Sequence, residues 1–314
     1  MRSQTENNSI LHSMLLLLAA AIWGSAFVAQ SVGMDHIGPF TFSAIRNTVG
    51  FLVLIPVSIW SRKHFKTTSE GHRFGISGQT LAGGLVCGLF LCASSNFQQC
   101  GMVYTTVGKS GFITALYVVF VPVLGVFLKK RTSWRTWVSV MLAVIGLYLL
   151  CMTGDDMSIN YGDGLMLICA ILFAFHILAV DRFIDGADGV TLSCIQFGVT
   201  AVISAVLMFV FEEPSMEAIN MSWLPILYAG VLSSGVAFTL QIITQRHLSP
   251  VVAALIMSME SVFSVISGWL IIGETMSERE LIGCVIMFAA IILAQLPGRQ
   301  KAVPAEGEEL NNVS

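Results

Sequence analysis

Charge is what this sequence has least of. Of its 314 residues, 11% are Asp, Glu, Lys or Arg, against 55% hydrophobic, and the mean hydropathy is +0.80. A soluble domain of this length needs about a quarter of its residues charged to cover its surface, so the composition excludes one. Proline is sparse at eight residues, and no proline-rich linker breaks the chain. The seven cysteines are odd in number, form no CxxC pair, and lie in or at the ends of apolar runs. That pattern reads as small apolar packing residues rather than a disulfide or metal framework. No GxSxG, HExxH or phosphate-binding loop is present, and no two carboxylates share a helical face, so an enzyme is not expected. Clustered His, Cys or carboxylate ligands are missing too. No metal or other cofactor is expected, and no nucleic-acid partner.

What fills the chain instead is a series of apolar runs separated by short polar joints. A helix of about 20 residues spans the hydrocarbon core of a bilayer, and in lipid the backbone must satisfy its own hydrogen bonds. The spacing predicts an all-α, polytopic membrane protein with ten transmembrane helices at 13–31, 39–60, 79–100, 107–128, 134–152, 162–181, 190–211, 222–243, 250–272 and 279–297. Arg2 and the apolar run ending near Ala19–Ala21 have the outline of a signal peptide. Further apolar runs follow rather than a soluble domain, so this run is read as the first span. The Glu-rich stretch 299–314 is expected to be a disordered cytoplasmic tail.

Orientation follows from the cations. With the N-terminus inside, thirteen of the sixteen Lys and Arg fall in cytoplasmic segments; Arg279 is outside, and Arg46 and Lys109 lie within spans. This bias predicts a cell-membrane protein with both termini cytoplasmic. The halves also resemble each other. "FTFSAIRNTVG" (40–50) laid on "VTLSCIQFGVT" (190–200) matches at Thr41/Thr191, Ser43/Ser193, Ile45/Ile195 and Val49/Val199. Five spans per half is an odd number, so the second half must insert upside down. The expected organisation is two inverted five-helix repeats, 1–152 and 153–298, a construction that places a substrate site near the midplane between the repeats.

Three charges are committed to the membrane: Arg46, Lys109 and Glu260. Each costs about 2.5–3.5 kcal/mol at a helix centre, so each needs a partner or a purpose. Lys109, near the start of its span, can snorkel to the interface. Arg46 lies two turns into its helix, opposite Gln196 of the other repeat; carbonyl or headgroup contacts are the plain alternative to a role for it. Polar and aromatic residues fall on helical stripes. Trp23, Ala26 and Gln30 share a face, as do Phe173, His176 and Val180; Asn96 and Gln99; Ser110, Thr114 and Tyr117; Ser261, Ser264 and Gly268; and Ser234, Phe238, Gln241 and Gln245. Small and hydroxyl residues are ordinary helix-packing material in membranes; bulky amides and aromatics also suit a cavity wall. His176 is either a proton shuttle or a hydrogen-bonded interior residue.

The stretches "AAIWGSAFVAQ" (20–30), "GKSGFITALYVVFVPVLG" (108–125), "YAGVLSSGVAFTLQ" (228–241) and "SPVVAALIMSMESVFSVISGWLIIGE" (249–274) resemble the EamA family of the drug/metabolite transporter superfamily, over nearly the whole chain. Pro250, Glu260 and Gly273-Glu274 stand at the family's spacing. The resemblance implies a ten-helix, inverted-repeat transporter of small metabolites, often amino acids and often outward. It also implies a central cavity lined by spans one, three, four, six, eight and nine. One departure matters: related small multidrug transporters carry a glutamate in the first helix, where this chain reads Ile22-Trp23-Gly24.

The expected function is a secondary transporter for a small polar metabolite, an amino acid or related zwitterion, working by alternating access. Trp23, Tyr117 and Phe173 would form apolar walls. Asn96, Gln99, Gln241 and Gln245 would donate or accept hydrogen bonds, and Lys109 and Glu260 would neutralise the substrate's ends. Pro122 and the glycines Gly108 and Gly111 would permit gating. Partners are the small-molecule substrate and the lipid bilayer, with proton coupling through Glu260 or His176 a further expectation. The oligomeric state is open between monomer and homodimer. A sensor or assembly subunit that reuses the fold without transport is the alternative.

Overall fold

The computed structural model describes residues 2–64, 76–105, 107–130, 132–151, 160–267, 269–270 and 277–295. The tail 299–314 and parts of the joints at 61–78, 129–135 and 152–162 lie outside them. Every described element is helical. The helices are α1 (Arg2–Gly33), α2 (Pro39–His64), α3 (Gly78–Met102), α4 (Val107–Ala115), α5 (Tyr117–Phe127), α6 (Trp134–Cys151), α7 (Tyr161–Phe183) and α8 (Gly189–Phe211). After them come α9 (Met216–Met221), α10 (Trp223–Leu227), a π-helical segment (Tyr228–Ala237), α11 (Phe238–Gln245), α12 (Pro250–Met257), α13 (Glu260–Ser267) and α14 (Glu278–Gln295).

Eight of the described helical stretches are long and apolar enough to cross a membrane, and Trp134–Leu150 is a shorter apolar helix. Over its described residues each of the ten predicted spans falls on helix, α14 standing where the tenth was expected. The chain is an all-helical, multi-pass membrane protein. Its outer surface is apolar in the way lipid requires: Phe127, Phe209, Val210 and Phe211 all face outward.

Local chemistry sets the helix starts. Ser77 accepts from Thr80 N at the head of α3. Asn160 and Asp163 form a reciprocal capping box on α7, and Asp188 caps α8. Ser249 caps α12, with Pro250 in its first turn. These are the side chains that satisfy otherwise orphaned N–H groups. Between α7 and α8 the chain turns at Gly186, whose φ of 88° lies in the left-handed region that favours glycine. One cap crosses the molecule: Glu212, after α8, accepts from Phe40 N (2.8 Å) and Thr41 N (2.7 Å) at the head of α2.

The packing exchanges helices between the halves. α2 lies along α8, and α6 along α14. The α2–α8 pair runs antiparallel: Phe40 meets Phe211 at one end, and Ser58 bonds Thr191 at the other. α1 packs on α13, the π-helical segment and α11, while α7 packs on α4, α5 and α3, the same relation with the halves exchanged. Several contacts need glycine for lack of room. A Cβ on Gly24 would sit 2.6 Å from Glu260 O and 2.5 Å from Phe263 Cβ. One on Gly283 would sit 2.8 Å from Gly146 O. Close backbone approach of this kind is a common way for membrane helices to gain packing energy.

Three irregularities were not expected from the sequence. The fourth span breaks at Leu116, between α4 and α5, and the ninth at Ser258–Met259, between α12 and α13. In each half the break falls in the same span. Pro122, expected as the kink, lies inside α5 instead. The eighth span is π-helical over ten residues from Tyr228 to Ala237, a geometry frequent at functional sites.

Candidate functional site

A cavity lies between the helices of the bundle. Its walls come from α1, α2 and α3, from both halves of the two broken spans, and from α7, α8, the π-helical segment and α11. The six spans expected to line it do so, and α2 and α8 contribute as well.

One wall is aromatic. Trp23 meets Phe238 edge-on, with centroids 4.8 Å apart, and Phe238 meets Phe197 the same way at 5.5 Å. Phe173 and Phe27 also face the space. At the break of the ninth span sits Glu260, 6% exposed, with Oε1 accepting from Tyr117 Oη at 3.2 Å. Each is the first residue after the break in its own span. At each interruption the chain stays right-handed and tightens to a shorter bond, Leu116 N to Ile113 O and Met259 N to Ile256 O, and interrupted helices build midplane sites in transporters.

The other polar pole is Arg46. It is 6% exposed and lines the cavity. Its Nη1 donates to Gln30 Oε1 at 2.7 Å, and its guanidinium lies 5.7 Å from the Phe42 ring centroid. Asn47, Ser234, Gln98 and Gln241 add hydrogen-bonding groups between the poles.

Of the ten residues singled out in the sequence, the structure brings Trp23, Tyr117, Phe173, Gln241 and Glu260 together around this cavity. The other five are placed elsewhere. Asn96 donates to Ser204 Oγ (2.9 Å) and Cys92 O (2.8 Å), facing α8. Gln99 is fully buried against Met34. On α3 it is Ser95 and Gln98, one position earlier, that reach the cavity. Lys109 forms an ion pair with Asp163 at 2.7 Å, a capping-box residue that also accepts from Thr105 Oγ1 at 2.7 Å. His176 lies behind the aromatic wall, its Nε2 3.0 Å from Gln196 Oε1. Gln245 accepts from Gln241 at 3.3 Å and reaches toward Ile177 O.

Arg46 is the residue that sequence reasoning did not select for the site. Its depth in α2 was the available signal; its bond to Gln30 of α1 is a tertiary contact that the sequence does not show. Among the described residues no three His, Cys, Asp or Glu side chains gather as a metal ion would need.

Comparison with known proteins agrees with this architecture. Residues 11–152 and 160–296 each match the EamA-like transporter family. The chain is 29% identical over 283 residues to an uncharacterized transporter of Archaeoglobus fulgidus, covering 90% of this chain and 84% of that one. It is 22% identical over 283 residues to the uncharacterized transporter YoaV of Bacillus subtilis, covering 88% and 94%. Against the uncharacterized inner membrane transporter YedA of Escherichia coli it is 23% identical over 282 residues, covering 88% and 87%. A solved crystal structure shares the fold with a TM-score of 0.73 at 18% identity, covering 91% of this chain and 96% of that one. With the family matched along both halves, this chain belongs to the EamA-like transporter family and is a membrane transporter.

Proposed function

We propose that the protein moves a small polar metabolite, an amino acid or related zwitterion, through the central cavity by alternating access, with export as its direction. The observation that carries this reading is the Tyr117–Glu260 bond. It sets a buried carboxylate in a part-aromatic space at the meeting point of two interrupted spans, one from each half. A carboxylate there costs several kcal/mol unless it is used or held, and an ammonium group entering the cavity would offset that cost. The breaks at Leu116 and Ser258–Met259 are the natural hinges. About them the two repeats, 1–152 and 153–298, would rock to open the site to one side and then the other.

The test is reconstitution of the full chain in liposomes and a screen of amino acids and related amines and acids, with and without an imposed pH gradient. Saturable movement of a small zwitterion supports the reading. Accumulation that depends on the gradient adds proton coupling. No movement of any small polar solute, by protein that is folded and inserted, would sink it.

A further inference from the structure

We propose that Arg46 is the receptor for a carboxylate on the transported molecule, so that the cavity selects solutes carrying an acid group and not simple amines. The inference rests on the central cavity being the transport site, and it names the substrate group the cavity recognises.

The guanidinium is held on one edge and underneath, and has no protein partner among the described residues on the other edge. Gln30 takes Nη1 at 2.7 Å and is itself steadied by Nε2 donating to Ala26 O at 3.2 Å. The Phe42 ring lies beneath. Nε is buried without a partner, and among the described residues nothing accepts from Nη2. Nε and Nη2 form the edge of the guanidinium that matches the two oxygens of a carboxylate. Among the described residues no carboxylate makes an ion pair with Arg46; those present are Lys109–Asp163 and Lys130–Asp181. A fixed cation at this depth with no counter-ion is costly, and an anionic ligand group would relieve it.

The second repeat is an internal control. Gln196 stands at the position equivalent to Arg46 and also bonds to the preceding helix, through His176 at 3.0 Å. A neutral amide is therefore enough to join those two helices. The positive charge in the first repeat calls for a different explanation, and its place on the cavity wall supplies one. Glu260, in the same cavity, makes no ion pair with Arg46, so the two opposite charges are held apart, as they must be if a ligand is to bridge them.

The experiment is calorimetric titration of the purified full chain with two matched sets of probes. One is L-leucine, isoamylamine and isocaproate; the other is L-phenylalanine, phenethylamine and hydrocinnamate. Wild type is expected to bind at least one amino acid more tightly than its matched amine. In Arg46→Gln the amino acid and the acid should weaken by about 10- to 100-fold, the range for a charge-assisted hydrogen-bonded pair, while the amine is unchanged. Arg46→Lys keeps the charge without the fork and should fall between; it carries the test alone if Arg46→Gln does not fold. Equal weakening of the amine would mean a structural role and would overturn the proposal. So would an unchanged amino acid affinity, or a wild type that binds only the amine. A wild type that binds none of the probes overturns it too, and the liposome screen, which requires no carboxylate, then decides the transport reading separately.

Discussion

Tyr117 Oη donates to Glu260 Oε1 over 3.2 Å, and this one bond joins the two points where spans are interrupted. Tyr117 opens α5 and Glu260 opens α13. The elements they belong to are equivalent in the two halves, and both breaks face the same cavity. Ser261, next to Glu260, reinforces the junction through Oγ donating to Gly111 O at 3.3 Å. A movement that separated the broken spans would have to part Tyr117 from Glu260.

Replacing Glu260 with Gln keeps the shape and removes the charge. We expect folding close to wild type and a loss of transport of about tenfold or more, because a charged hydrogen-bonding group is worth more to a ligand than a neutral one. If Glu260 couples transport to protons, solute exchange survives while pH-driven accumulation disappears. Liposome flux with and without the gradient reads both. Unchanged folding and unchanged gradient-driven transport would show that Glu260 has no functional part.

Trp23 presses edge-on against Phe238 in the cavity wall. Trp23→Ala is expected to cut transport strongly while the protein still inserts, and Trp23→Phe to keep part of it, since the ring supplies apolar surface more than a hydrogen bond. Flux normalised to inserted protein measures this. Normal flux with an altered oligomeric state would place Trp23 at a lipid or partner contact instead.

The Lys109–Asp163 pair joins α4 to α7, and Lys130, just after α5, pairs with Asp181 further along α7. Removing one partner of a buried ion pair costs about 3–5 kcal/mol. Asp163→Asn should therefore lower thermal stability in detergent, with ligand affinity little changed because neither residue lines the cavity. Replacing Lys109 with Met as well should recover much of the lost stability. If Lys109→Gln abolished binding while stability held, Lys109 would be the substrate group that the sequence pattern suggested.

Topology can be read on described residues. The cation bias predicts 129–135 inside and 212–221 outside. In a cysteine-free background, an impermeant thiol reagent applied to intact cells should label a cysteine at position 217 and not one at 130. The reverse pattern would invert the assignment.

The spans were legible because lipid imposes one rule along their whole length: about 20 apolar residues and a saturated backbone. Residues that break that rule, such as Glu260 and Arg46, were legible for the same reason. The breaks were not. Leu116 lies between Ala115 and Tyr117, and Ser258 precedes Met259; neither site carries the glycine or proline that punctuates a sequence. Pro122 carried that signal and sits inside α5. Of the stripe Ser234–Phe238–Gln241–Gln245, read at 3.6 residues per turn, the first three reach the cavity, while Gln245, a turn further along α11, accepts from Gln241 instead. The error on α3 was a rotation by one residue, enough to exchange Asn96 and Gln99 for Ser95 and Gln98. Lys109 found its carboxylate in Asp163, which in sequence looks only like the start of a helix.

The exchange of helices between the halves has a meaning for the nascent chain. Synthesis delivers α2 before α8, α6 before α14, Lys109 before Asp163 and Tyr117 before Glu260. Each early span must enter the bilayer without the neighbour it will later pack against. Insertion and packing are then separate stages, as they are for membrane helices in general, and the long sequence separation of the final contacts makes the second stage slow. A ribosome stalled before Glu260 would leave a chain already threaded through the membrane, its loops on their proper sides, and no binding site assembled.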